Sequence, residues 1–144
     1  MKATVTWQSD ACFEALSGSG HTVLLDGPPD HGGQNRGPRP MELMLMGLGG
    51  CAAFDVVHIL RKSRQPVLNC VAELRAERVD AVPAVFETIH LHFIVSGRAS
   101  LSDKQVARAV SLSAEKYCSA SIMLERAGVV ISHSHELVTV EGDE

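Results

Sequence analysis

The chain has 144 residues, of which 45% are hydrophobic, so it can bury a real core within one domain, 1–144. Its net charge of −4 gives no electrostatic footprint for nucleic acid, and aromatics at 4% supply no stacking platform for bases. Met1-Lys2 leads directly into an alternating pattern with no signal peptide, and the four cysteines, Cys12, Cys51, Cys70 and Cys118, form no C-x-x-C; a cytoplasmic protein with reduced thiols is expected, and a zinc ribbon or thioredoxin motif is excluded.

Ala3, Val5 and Trp7 alternate with Lys2, Thr4 and Thr6, which predicts a half-buried strand. Residues 11–16 predict a second strand, Ser17-Gly18-Ser19-Gly20 a turn, and 21–25 a third strand, together an antiparallel meander. Residues 26–40 are rich in glycine and proline and keep no periodicity. A loop of this length is often functional. It carries Arg36 and Arg39 to the mouth of the following helix, or it is a solvated linker with two surface arginines.

Residues 41–62 hold no proline and predict a helix of ~33 Å at 1.5 Å per residue. Apolar residues fill almost every position, so the helix is expected to be buried nearly all round, which calls for a partner subunit. Glu42 and Asp55 bracket the uncharged part, short of the ~20 residues a bilayer requires, so no membrane span is expected. Each glycine inside a helix costs ~1 kcal/mol relative to alanine. Two readings account for them. Gly47 and Gly50 admit another backbone, or the Gly49-Gly50 pair kinks the helix and frees N–H groups beside Cys51, lowering its pKa.

Basic residues Arg61, Lys62 and Arg64 close the helix, and Pro66 forbids continuation. Residues 67–79 alternate, with Leu68, Cys70, Ala72, Leu74 and Ala76 on one face; Cys70 is read as a core residue without chemistry. Residues 85–96 form a further strand with Ile89, Leu91, Phe93 and Val95 on one side. Ser102-Asp103-Lys104-Gln105 is a capping box, followed by Val106, Val110, Ser113 and Tyr117 at helical spacing. A break at Cys118-Ser119 places Cys118 at the N-terminus of a second short helix, 121–127, which Gly128 stops. Residues 129–140 predict a last strand, and the tail 141–144 is expected to be loose.

His90-x-His92 and His133-x-His135 invite a zinc site only if their strands adjoin and all four rings converge; His90 and His92 are read as solvent-facing, and no metal is expected. Asp55 lies four residues after Cys51 on the same helix face, and His58 continues the stripe. They are read as polar contacts to an interface or strand rather than as a catalytic base. Cys51 and Cys118 are both helix-associated, where a thiolate is favoured, but a buried inert thiol has the same signature, and spacing alone leaves both open.

Pro-Met-Glu-Leu-Met-Leu-Met-Gly-Leu-Gly-Gly-Cys-Ala-Ala-Phe-Asp (residues 40–55), followed by Glu-Lys-Tyr-Cys-Ser (115–119), resembles the OsmC/Ohr family. The element order agrees across essentially the whole chain, and Gly-Gly-Cys-x-x-x-Asp resembles a branch set apart from the best-studied hydroperoxide reductases. The resemblance implies an α+β OsmC-like fold, with antiparallel sheets packed around a long central helix in an intertwined homodimer whose sites lie at the subunit interface. It implies a thiol peroxidase for organic hydroperoxides. Cys51 matches the peroxidatic cysteine, oxidised to a sulfenic acid, and Cys118 the resolving cysteine that condenses with it to a disulfide. A dithiol reductant, lipoyl-linked in the family, reopens the disulfide without metal or organic cofactor.

Two positions depart from the reductases. Met41 stands where they carry glutamate, with Glu42 one residue, or ~100° of helix rotation, further on. They also hold the thiolate with an arginine of the N-terminal meander, whereas the first arginine here is Arg36; Arg36 or Arg39 is the candidate replacement. Met44, Leu48 and Phe54 are read as the apolar surround of the substrate. The rival expectation is a non-enzymatic dimer that binds a small apolar ligand in the same pocket.

Overall fold

The computed structural model describes residues 1–142; Asp143 and Glu144, part of the tail expected to be loose, lie outside the described residues. The chain divides into two compact units, Met1–Met44 and Leu45–Glu144.

The first unit opens with β1 (Ala3–Ser9), β2 (Cys12–Ser17) and β3 (Thr22–Leu25), an antiparallel sheet in that order. The meander is as expected, but β1 is not half-buried: Val5 and Trp7 are 58% and 65% exposed. A three-stranded sheet needs a second layer to bury a face, and this unit supplies none over β1. The loop that follows is not featureless. The Asp26 carboxylate is buried at its root and accepts hydrogen bonds from the amides of Gly27, Gln34 and Arg36 and from Arg36 Nε. Burial alone would raise this carboxyl, but those donors outweigh it and hold the pKa at about 2.

The helix α1 (Pro40–Lys62) begins at proline, as the fixed φ of that residue suits. It is not buried all round. Leu48, Gly49, Ala52, Val56 and Leu60 form one buried stripe at i+3/i+4 spacing, whereas Met44, Met46 and Phe54 stand exposed. Nor does its charge pattern exclude a membrane span: by length and composition α1 is apolar enough, with a mean hydropathy of 1.8. Core helices of soluble folds pass the same test; in the single chain 28% of the 18-residue apolar window of α1 is buried. The helix runs without interruption through Gly49, Gly50 and Cys51, so the kink reading fails and Cys51 sits mid-helix. The close approach is at Gly49, where a Cβ would lie 2.7 Å from Leu74 Cδ1, while a Cβ on Gly47 or Gly50 would meet nothing within 4 Å.

In the second unit β4 (Val67–Arg78) and β5 (Phe86–Gly97) form a long antiparallel hairpin, and β6 (Val130–Thr139) adds to β5 in parallel. The sheet is therefore mixed rather than antiparallel throughout. The segment 103–126 carries the chain back to the end of the sheet where β5 began, and such a crossover is what a parallel neighbour requires. Along β5, Ile89, Leu91, Phe93 and Val95 are buried as the alternation predicts. Leu68 is not on the core face of β4: a register shift between Val67 and Asn69 turns it out, and it is 57% exposed.

Helix α2 (Asp103–Leu112) is capped by Ser102, whose side chain accepts from the Gln105 amide at 3.4 Å. The reciprocal half of the box is supplied from elsewhere: Gln65 Oε1, not Gln105, accepts the Ser102 N–H at 3.0 Å. Val106, Ala109 and Val110 are buried, but Tyr117 is half-exposed, because the chain leaves α-helical geometry before reaching it. Helix α3 (Ser119–Arg126) follows, ending at Gly128 with φ +98°.

Candidate functional site

The site is built from α1 and from the junction between α2 and α3. After α2, residues Ser113–Tyr117 form one π-helical turn, closed by the Cys118 N–H donating to Ser113 O at 2.8 Å. Single π turns of this kind frequently mark functional sites. Cys118 then turns extended (φ −74°, ψ 100°) and caps α3, its Sγ accepting from the Ser121 amide at 3.4 Å. The expectation that Cys118 stands at the N-terminus of the second helix is met.

Ser113 couples the two cysteine-bearing segments. Its carbonyl closes the π turn at Cys118, and its buried hydroxyl donates at 3.1 Å to the carbonyl of Ala52, the neighbour of Cys51. In the sequence Ser113 stood out only as one member of a helical stripe. Its polar character at an otherwise apolar position was the available signal.

Cys51 and Asp55, one turn apart on α1, face Cys118. Cys51 Sγ, Cys118 Sγ and a carboxylate oxygen of Asp55 all lie within 4.8 Å of one another. All four cysteines are free thiols. Cys51 is half-buried and Cys118 fully buried. Burial pushes the Cys118 thiol up to about 11; the Ser121 amide pulls it down, and Cys51 and Asp55 push it further up. Burial likewise raises the Asp55 carboxyl, against the opposing effects of His58 and Ser113. Asp55 Oδ2 is buried with no hydrogen-bond partner.

Beside this group lies a cavity of about 440 Å³, walled by Asp55, His58, Lys62, Arg108, Leu112 and Tyr117 among others. Lys62 and Arg108 bring two cations to the same cavity as Asp55; from sequence Lys62 stood out only as a basic residue closing the helix, and Arg108 not at all. His58 is exposed and stacks on Phe54, ring centroids 5.9 Å apart and planes within 5°. Leu48 belongs to the core, so the apolar wall of the cavity comes from Ile59, Leu112 and Tyr117 rather than from Met44, Leu48 and Phe54.

The remaining sequence candidates have partners within the first unit. Arg36 Nε pairs with Asp26 at 3.1 Å, and its Nη2 donates to Ser9 Oγ at 3.2 Å. Arg39 donates from Nη1 to Asn35 Oδ1, and its Nε lies 3.8 Å from Glu42. Glu42 reaches back to accept the Arg39 N–H at 2.9 Å, as the acidic residue of a capping box does at the start of α1. The four histidines do not converge. His90 and His92 share a face with Ser132, Ser134 and Glu136, to which they hydrogen-bond, whereas His133 and His135 stand opposite Leu91 and Phe93 on the other face.

Residues 32–134 match a family model described as OsmC-like protein. The chain is 51% identical over 138 residues to "Protein YhfA" of Escherichia coli strain K12, which covers 96% of this chain and 98% of that one. A crystal structure of a hypothetical protein from Aquifex aeolicus VF5 is 30% identical, with TM-score 0.78 over 94% of this chain and 96% of the other. An organic hydroperoxide resistance protein OsmC from Legionella pneumophila shares the fold, with TM-score 0.69 at 16% identity and 96% of both chains covered.

Proposed function

From the chain's membership of the OsmC-like protein family, whose match takes in both cysteines, we propose that it is a cysteine-dependent peroxidase for organic hydroperoxides. The observation that carries this reading is the placing of the Cys51 and Cys118 sulfurs within 4.8 Å of each other, on segments 67 positions apart in sequence.

Differential burial supports this division of roles. Cys51 is the thiol a peroxide can reach, and as thiolate it attacks the distal peroxide oxygen; the O–O bond breaks, the alkoxide leaves and takes a proton, and Cys51 becomes a sulfenic acid. Cys118, fully buried and kept protonated by that burial, survives the oxidant as a thiol. It then attacks the Cys51 sulfur and expels water, giving the disulfide. A dithiol of the lipoyl class returns both thiols by exchange. Asp55 adds to the burial that holds the Cys118 proton, and Lys62 and Arg108 offer the cavity a positive wall. Arg36, Arg39 and Glu42 shape the first unit and the start of α1; whether one of them reaches the peroxide is tested by single alanine variants. The charged wall does not favour the alternative of a purely apolar ligand binder.

Proteins of this family are typically dimeric, and we place the exposed face of α1 in a homodimer interface. A reducing, cytoplasmic setting is the location we propose, where a cysteine pair is more often catalytic than structural. The test is thiol loss on stoichiometric addition of cumene hydroperoxide, compared with hydrogen peroxide. Wild type is expected to lose two thiols and to show a Cys51–Cys118 disulfide by peptide mapping. Cys118→Ser is expected to accumulate a dimedone-reactive Cys51, and Cys51→Ser to lose turnover. An unmodified Cys51 in both wild type and Cys118→Ser would overturn the proposal.

A further inference from the structure

We propose that Cys51, Cys118 and Asp55 form a binding site for a thiophilic divalent cation, with zinc as the ion the donors suit. Among the described residues they are a trio of ligand-type side chains whose donor atoms all lie within 4.8 Å of one another. Two thiolates and one carboxylate oxygen make three of the four donors a tetrahedral zinc takes, at roughly 2.3 Å for sulfur and 2.0–2.2 Å for oxygen. Tetrahedral bonding at those lengths sets the donors roughly 3.4–3.8 Å apart, so the observed spacing closes by at most ~1.4 Å on binding.

Two features point to a cation rather than to ordinary packing. Asp55 Oδ2 is buried without a hydrogen-bond partner, and a buried carboxylate oxygen left this way is uncommon. In keeping with this, among the described residues no salt bridge reaches Asp55, although Lys62 and Arg108 line the cavity beside it. The Ser121 amide already donates to Cys118 Sγ, the outer contact that orients and stabilises a thiolate ligand. Asp55 also lines the cavity, from which water fills the fourth position.

The donor set selects the metal. Thiolates favour zinc, whereas magnesium and calcium demand oxygen ligands. Binding is balanced by protons: the ion enters, both S–H groups are deprotonated, and two protons leave to solvent. Expecting no metal from sequence weighed only the histidine pairs, which lie on opposite faces of the sheet. Binding does not depend on the proposed peroxidase reaction. If that reaction holds, the ion competes with it, since a zinc-bound Cys51 is not free to attack peroxide, and the disulfide has no thiolates to bind zinc.

The reduced full-length protein, with no peroxide present, is titrated with zinc against a chromophoric chelator of micromolar affinity. Expected are one ion per chain and two protons released. Cys51→Ser should weaken uptake by more than ~100-fold, beyond what losing an outer-shell partner costs. Asp55→Asn should weaken it by more than ~10-fold, and Cys12→Ser and Cys70→Ser should match wild type. In the cobalt(II) form, the thiolate-to-metal charge-transfer band should halve in Cys51→Ser and in Cys118→Ser, where the serine oxygen keeps the cap of α3. No uptake by reduced wild type, or uptake equal in Cys51→Ser, would overturn the site. Zinc uptake without hydroperoxide turnover would leave the site standing and remove the peroxidase reading; turnover without uptake would do the reverse.

Discussion

Cys118 is held by three contacts that each have a chemical consequence. Its amide closes the π turn, its sulfur caps α3, and its thiol lies in a fully buried place beside Cys51 and Asp55. Burial first, and those two neighbours next, move its pKa from 9.0 to about 11. A raised thiol pKa means that the folded chain keeps a proton that the unfolded chain has already lost. The stabilisation is therefore complete below pH 9 and is lost as pH rises towards 11. The urea midpoint of wild type should fall between those pH values relative to that of Cys118→Ser, which lacks the titration. Parallel profiles would mean that the thiol is not so confined. Asp55→Asn removes a negative neighbour and should lower the alkylation pKa of Cys118. Little of this was legible in residues alone. The pairing of Cys51 with Cys118 came from the family motif, and the positioning role of Ser113 depends on a π turn for which the sequence carries no marker.

At the scale of elements, periodicity carried far where burial is one-sided. The alternation in β5 and the extent of α1 are seen almost residue for residue, because each buries a fixed face of its own unit. It failed where a local irregularity resets the phase, as at the bulge that turns Leu68 outward. It was also silent on strand direction: the pattern of β6 is the same whether it runs with or against β5. The helix glycines show the limit from another side, since composition flagged all three but only the packing separates them. Gly49 is buried with Leu74 Cδ1 at 2.7 Å from the position of a Cβ. Alanine there trades a helix-propensity gain of ~1 kcal/mol against displacement of one flexible Leu74 methyl. A leucine has no such escape. Gly49→Leu should cost ~1–3 kcal/mol by overpacking, and more if β4 must shift; a thermal or urea midpoint equal to wild type would show that the sheet yields at no cost.

At the scale of the whole molecule, what stands out is how much apolar surface each unit leaves open. Val5 and Trp7 on β1, and Met44, Met46 and Phe54 on α1, are all exposed in the single chain, although isolated exposed apolar residues need no explanation. Buried and exposed faces of α1 are equally apolar in sequence, which is why sequence reading expected burial all round and one chain accounts for only a stripe. A second copy is the proposed cover. The two open glycines make the idea testable. In a free chain, Gly50→Leu places a side chain in empty space and replaces a poor helix former, so the helix should gain up to ~1 kcal/mol. Against a partner helix the same leucine has nowhere to go. Light scattering at low micromolar concentration should report a dimer for wild type and a folded monomer for Gly50→Leu, with Gly50→Ala between them. A monomeric wild type would remove the dimer. An unchanged dimer in Gly50→Leu would instead place the interface away from Gly50 and leave that glycine without a packing reason.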